Sequence, residues 1–538
     1  MAERRPYVVA CLGIVAIAVT IRAVPLYWSS LPATLDGFGY AALARETIAG
    51  AHYPIERFRA DNFVFTGLLT VTSLLVGVAP LGTAQPLVAV VGGASTLTAV
   101  AIARRVGWGI DPSNRRVRSA AVLAGLTLAV DGLYLRRTGV PDEEALGLVF
   151  VPLVAIALHR VLRSGRVAWV AITGTLMLAF PLLHTFSTLL AGLTVLGLLA
   201  AHLLSSPSRR VMAVGIGLVG GFWAYYALYY ELAARLGLTV PYVGRILSYP
   251  GLFAAWVIVL VVGVLWLTGT RSRAQTGVLL SVVGIWYLLL GANAVLPVFP
   301  GTISTPLPIL VGALLFVVPV VVASRGLPVA TLGSADGAVV LALLAAPVAQ
   351  VYFSLTASLT PQFLGTVVRA QTFVHVPIFV LAALATLRYA PSVAPARDVS
   401  SLRGAVTSRR LVVGALVVTA LLTAPLAFVH LDNAASPATT VESEFAAATF
   451  ATTHVDGIWS ADDPLARIGS LYYPTRTATT QTPVVSWLTG GAAPSCPTLS
   501  QRSWTTTGAH LYPAPPATIR SRSRYPRGRR GVAVDPGW

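Results

Sequence analysis

The chain has 538 residues, of which 55% are hydrophobic and 11% charged, with a mean hydropathy of +0.75. A soluble domain carries about 25% charged residues, so this composition excludes a water-soluble enzyme and implies a polytopic membrane protein. The net charge of +18 comes from 38 basic residues, all of them arginine; they are scattered between apolar runs and not gathered on a soluble face, which argues against a nucleic-acid partner.

About 20 apolar residues cross a 30 Å hydrocarbon core. Runs of that order fall at 7–24, 83–103, 118–134, 144–162, 168–184, 186–204, 211–231, 250–268, 275–296, 308–323, 335–356, 368–388 and 411–429, which makes thirteen. The first follows Arg4 and Arg5, exceeds the core of a usual signal peptide and has no small-x-small cleavage site after it, so it reads as a retained signal anchor. A further stretch, 63–79, is short and holds Thr66, Thr70, Thr72 and Ser73. If it lies at the membrane surface and the amino terminus is cytoplasmic, the cytoplasmic loops collect Arg104, Arg105, Arg115, Arg116, Arg160, Arg163, Arg209, Arg210, Arg271, Arg273, Arg325 and Arg388. Counting it as a span would put all of these outside, against the positive-inside rule. Residues 1–429 therefore read as the transmembrane domain, with a first outer loop at 25–82 bearing surface helices, and the region after 429 as extracytoplasmic.

This topology sorts the acids. Asp36, Glu46, Glu56, Asp61, Asp131, Asp142, Glu143, Glu144 and Glu231 fall on the outer side or at outer span ends, all within the first 231 residues. Acids contribute little to topology, so their concentration points to a site on the outer face of the amino-terminal half.

In the first outer loop, Leu35-Asp36-Gly37-Phe38-Gly39-Tyr40 precedes a helical stretch closed by Gly50. Asp36 is placed to cap that helix or to do chemistry. In the second, Gly139-Val140-Pro141-Asp142-Glu143-Glu144 likewise reads as helix initiation or as a carboxylate pair, Asp142 and Glu144, with Glu143 between them turned elsewhere.

With Arg22 at the end of the first span, then Asp36, Tyr40, Arg45 and a second surface helix at 63–79, the first loop resembles that of the GT-C superfamily of membrane glycosyltransferases. G-x-x-D-x-E at Gly139–Glu144 is similar to the second acidic motif of oligosaccharyltransferase catalytic subunits, which have thirteen spans and a carboxy-terminal outer domain. The resemblance implies a polyprenyl-phosphate-linked sugar donor and a role for Asp36, Asp142 and Glu144 in binding a divalent cation. Mg²⁺ or Mn²⁺ is the type of ion that carboxylates favour. Two features depart from the pattern: 298–305 carries no acid, and the outer region lacks a W-W-D-Y-G motif, its nearest aromatic stretch being Leu471-Tyr472-Tyr473-Pro474. A simpler transferase follows, moving a sugar or glycan to a lipid, glycan or protein on the outer face of the cell membrane.

Displacing a polyprenyl phosphate needs a cation or arginine on the phosphate and, for a hydroxyl acceptor, a base. Asp36 is the candidate catalytic carboxylate. Arg369 begins the twelfth span from the outer side, either snorkelling to headgroups or gripping the donor phosphate, and the superfamily is similar in having an arginine near this place. Tyr40, Arg137 and His184 are candidate site-lining residues, His184 at the turn between the fifth and sixth spans. Residues 430–519 read as a small extracytoplasmic α+β region. The stretch 520–538 holds six arginines among Ser, Pro and Gly and reads as a disordered basic tail. The rival class is a secondary transporter, which would place polar groups at mid-membrane with access from two sides.

Overall fold

The computed structural model describes residues 4–203, 208–300, 305, 307–388, 399–428, 440–474, 478–505, 508–511, 517, 532 and 533. The chain runs through α1 (Arg4–Arg22), α2 (Leu35–Gly50), α3 (Phe63–Val76), α4 (Pro80–Trp108), α5 (Asn114–Val130), α6 (Gly132–Thr138) and α7 (Glu144–Ser164). It continues through α8 (Val167–Leu183), α9 (Thr185–Leu203), α10 (Arg209–Arg235), α11 (Val243–Leu247), α12 (Pro250–Gly269) and α13 (Ser272–Val295). Next come α14 (Leu307–Ala313), α15 (Val317–Gly333), α16 (Gly337–Ala357), α17 (Pro361–Arg388) and α18 (Val399–Thr423), and the last helices are α19 (Glu442–His454), α20 (Asp463–Tyr472) and α21 (Thr482–Leu488). Eleven helices among the described residues are long and apolar enough to cross a membrane. The two remaining predicted spans fall on the 17-residue α8 and on α5 with α6, which together pass the same test but bend by 67°. This is an all-α polytopic membrane fold.

The bend corrects the expected straight span at 118–134, and its cause is local. The Asp131 side chain accepts from the Tyr134 amide at 3.1 Å and so starts a new helix. Gly132 then runs so close to the chain that a Cβ there would lie 1.9 Å from the Thr423 carbonyl oxygen. Any larger residue at 132 would push the last span away from α6.

Lipid tails are as apolar as leucine, so close packing is what associates the spans. Accordingly, Gly92, Gly93, Ser95, Thr96 and Ala99 of α4 are buried where α1 and α5 pack on it. Helices α9 and α17 are buried almost throughout, whereas most of α1, α12 and α13 is left to face lipid. Helix α3 has 14 residues, about 21 Å at 1.5 Å per residue, too short for the hydrocarbon core. It buries Phe65 and Leu69 and leaves Val71, Leu74, Leu75 and Val76 exposed, the two-faced pattern of a helix lying at a membrane surface.

The bundle has two chemically distinct ends. At one, Asp336 ahead of α16 pairs with Arg105 of α4 at 3.3 Å and with His159 of α7 at 2.6 Å, and His159 meets His202 of α9 at 3.0 Å. At the other lie the end of α1, both surface helices, the starts of α7, α9 and α17, and the 236–249 connection.

The carboxy-terminal region docks on that second end. Short parallel pairs, β1 (Trp459–Ser460) with β2 (Thr479–Thr480) and β3 (Leu499–Ser500) with β4 (Val532–Ala533), accompany α19 to α21. A core of Leu31, Leu35 and Phe38 with Ala448, Trp459, Leu465 and Ile468 joins it to α2. Arg45 lies over the Tyr472 ring at 4.2 Å and donates to the Tyr472 carbonyl at 2.9 Å, and Glu442 accepts from the Ser30 amide at 2.8 Å. The disorder expected of 520–538 falls outside the described residues, apart from Val532 and Ala533 in β4.

Candidate active site

Helix α2 begins at the N-cap Thr34, whose side chain makes no capping bond. Asp36 sits inside the first turn and pairs with Arg467 of α20 at 3.0 Å, with both side chains more than 40% exposed. The helix-cap alternative for Asp36 is thereby corrected: its carboxylate faces the carboxy-terminal region. The helix also ends differently, with Ala51 and not glycine in the left-handed conformation at φ 55°. Gly37 brings the two outer loops together, since a Cβ on it would stand 2.5 Å from Pro32 and 3.2 Å from Pro141. The residue after Asp36 thus packs on the residue before Asp142.

In the second loop, Asp142 Oδ1 accepts from the Glu144 amide at 3.1 Å, which starts α7. Arg369 of α17 bridges both acids, 2.5 Å from Glu144 Oε2 and 3.6 Å from Asp142 Oδ2. Burial alone would raise the Asp142 carboxyl, yet Arg369, His184 and the Glu144 amide together hold it below its ordinary value, with Arg137 adding to the effect.

Glu143 does not turn away from this assembly. With Asp61 and His184 it forms a buried group whose ligating atoms lie within 4.8 Å of one another. Asp61 Oδ2 is held by the Thr185 amide at 3.1 Å and hydroxyl at 2.8 Å, which ties the first loop to the start of α9. His184 Nδ1 lies 2.8 Å from the Ser187 hydroxyl, a contact that sets the ring, and burial pulls its pKa down, so the imidazole is neutral at pH 7. Arg59 pairs with Glu143 and with Asp61 and donates to the Tyr40 hydroxyl at 3.2 Å. Tyr40 thus stands one contact behind the acids. Burial, aided by Asp36 and Glu144, pushes the Glu143 carboxyl up to about 8; Arg59 is 40% exposed, and water screens its opposing charge.

Two carboxylate oxygens here, Glu143 Oε2 and Glu144 Oε1, are buried and accept no hydrogen bond, and Asp61 Oδ1 has only the ion pair with Arg59 Nε at 3.3 Å. Buried acceptors are ordinarily paired, and carboxyl oxygens left open beside a neutral histidine fit a hard divalent cation, whose charge would favour the ionised form of Glu143. The residues that carry this fit are Asp61, Glu143 and His184, with Asp142 and Glu144 alongside, whereas Asp36 is committed to Arg467. Tyr242, whose ring lies 5.6 Å from the Arg369 guanidinium, was not singled out from sequence, nor were Asp61, Arg59 and Arg467, and Glu143 was expected to turn elsewhere. Asp61 had one signal, its membership of the outer acids. Tyr242 and Arg467 had none, because both arrive from distant chain.

The chain thus forms a polytopic bundle with two interlocked surface loops, an acid-rich cluster at one end and a carboxy-terminal region docked on that end. The chain is similar in structure to the archaeal oligosaccharyltransferase AglB from Archaeoglobus fulgidus solved with an inhibitory peptide and a dolichol-phosphate, at 14% identity and a TM-score of 0.55 over 89% of this chain. The apo form of the Archaeoglobus fulgidus oligosaccharyltransferase matches at 13% identity and a TM-score of 0.54 over 88% of this chain. The chain spans 65% and 64% of the length of those two proteins. At such identities the likeness is one of fold. No protein-family model and no curated relative matches the chain.

Proposed function

We propose that the protein is a glycosyltransferase of the outer face of the cell membrane, moving a sugar or glycan from a polyprenyl-phosphate-linked donor to a lipid, glycan or protein acceptor. The observation that carries the reading is the set of orphaned buried carboxylate oxygens at the bundle end where both surface loops meet. A fold shared with an enzyme solved with a dolichol-phosphate supports the donor class.

Asp36 is the carboxylate within reach of an acceptor arriving from outside the bundle, and it would take the acceptor's proton. Arg369, between the two acids and the Tyr242 ring, would grip the leaving phosphate by its planar fork. Tyr40 and Arg59 would hold Glu143 in place, and Arg137 would add positive charge near Asp142. A cation such as Mg²⁺ or Mn²⁺ would be held by Asp61, Glu143 and His184, with Asp142 and Glu144 alongside and Asp36 within reach of its charge, and when bound would stabilise the negative charge developing on the phosphate.

A transporter finds less support. One cavity inside the bundle is lined by Leu148, Val151, Leu190, Leu343, Phe373 and Val376, with Thr194 the one polar residue in its wall. The test is direct: purified protein, Mn²⁺, a membrane extract that supplies acceptors and a radiolabelled polyprenyl-phosphate-linked sugar should release free polyprenyl phosphate as the labelled sugar passes to an acceptor. Proteoliposomes that instead accumulate a labelled solute without consuming the donor would replace the transferase with a carrier.

A further inference from the structure

The connection at 236–249 carries no acid, yet it roofs the acid cluster. The Ala60 amide donates to the Thr239 carbonyl at 3.0 Å, and Arg59 and Thr239 form a parallel bridge. This tether holds Tyr242 at φ 66°, a conformation that costs a residue with a side chain about 1–3 kcal/mol and persists where the surroundings over-determine it. Its ring packs edge-on against His184 at 6.0 Å and is shared by two guanidiniums, Arg245 at 4.7 Å and Arg369 at 5.6 Å.

The two arginines differ in what they already hold. Arg369 is engaged by Asp142 and Glu144. Arg245 pairs with no carboxylate among the described residues, and its Nη1 is buried without a hydrogen-bond partner. A guanidinium presents five N–H donors in a fork that matches phosphate oxygens. Leaving one such donor buried and unpaired, beside a second cation, is unfavourable unless an anion completes the arrangement. Resting on the transferase reading, we propose that Arg245 is a phosphate-binding residue and that the 239–245 segment forms, with Arg369, a two-arginine cradle for the phosphate of the lipid-linked donor.

The cradle divides the work. Arg369 already pairs with Asp142 and Glu144 and has only its remaining donors for the phosphate, whereas Arg245 pairs with no carboxylate among the described residues and can give two charge-assisted bonds. Removing such bonds should weaken phosphate binding by about tenfold or more.

The full-length protein in detergent should be titrated with dolichyl phosphate, with dolichol and with inorganic pyrophosphate, following binding by thermal stabilisation. Wild type should bind dolichyl phosphate over dolichol. Arg245→Gln should bind it at least tenfold more weakly, Arg245→Lys should fall between, and Arg235→Gln, at an exposed arginine paired with Glu231, should match wild type. Equal binding by wild type and Arg245→Gln overturns the assignment, as does wild type that binds neither phosphate. Arg245-dependent binding of pyrophosphate without preference for dolichyl phosphate over dolichol keeps the anion site and rejects the lipid donor. Should Arg245→Gln fail to fold, phenylglyoxal labelling of wild type decides: dolichyl phosphate should protect Arg245, and unchanged labelling overturns the proposal.

Discussion

Both ends of the bundle bury charged groups, but they balance them differently. At the arginine-rich end, the single carboxylate of Asp336 has Arg105 and His159 on it, and His159 has His202 behind it. These contacts join α4, α7, α9 and the turn before α16, and they leave no Asp336 oxygen among the buried orphans. At the acid-rich end, Asp61, Asp142, Glu143 and Glu144 share Arg59 and Arg369, and Glu143 Oε2 and Glu144 Oε1 are buried and accept no hydrogen bond. At the arginine-rich end the buried atoms without a hydrogen bond are arginine Nε donors, of Arg104, Arg105, Arg118 and Arg160, and the Asp336 carboxylate holds helices together. At the acid-rich end carboxyl acceptors lack partners, and the proposed cation would complete them.

The sharpest way to break this contrast is at Asp36. Because Asp36 does not cap α2, Asp36→Asn should fold normally, yet turnover should fall about 10²-fold or more if the carboxylate takes the acceptor's proton. Wild-type turnover in the purified variant would return Asp36 to a mere partner of Arg467. Next in size is the cation. Mn²⁺ binding, followed by electron paramagnetic resonance, should weaken by about tenfold or more in Asp61→Asn and Glu143→Gln, and retention of wild-type affinity in both would place the ion elsewhere.

The far end should respond in the opposite sense. Asp336→Asn strips the partner from Arg105 and His159, which should lower stability by about 1–3 kcal/mol while leaving turnover per folded molecule unchanged. A catalytic defect without loss of stability would erase the distinction between the ends. A further test concerns pH. The folded Glu143 carboxyl titrates near about 8 against an ordinary 4.5, so folding favours its protonated form. Its contribution is full below about 4.5 and is lost as pH rises through about 8. In chelator, the melting temperature of wild type should decline over that window and that of Glu143→Gln should decline less. Parallel curves would show that another group titrates.

Helix α7 shows how far a motif carries. Asp142 and Glu144 were legible as a carboxylate pair because G-x-x-D-x-E has a fixed spacing, but their neighbour Glu143 was assigned to the wrong direction. Helical periodicity separates adjacent residues only once the helix has begun, and Glu143 is the N-cap of α7, with the helix starting at Glu144. Asp61 was visible as one outer acid among nine. Its meeting with His184 depends on Thr185 holding it from a segment 124 residues away.

The sequence by itself determined the membrane class, the places of the spans, the short helix within 63–79 and the grouping of acids from the first two loops. Apolar length, arginine spacing and local helix signals are properties of contiguous chain, and the bilayer's thickness reads them directly. Only the tertiary structure decided which carboxylates meet His184, that Arg369 is held by Asp142 and Glu144 while Arg245 is left open, and that Arg467 reaches Asp36 from the carboxy-terminal region. Those pairings join segments up to 431 residues apart, and among nearly uniform apolar helices it is close packing at a few small residues, such as Gly37 and Gly132, that selects them.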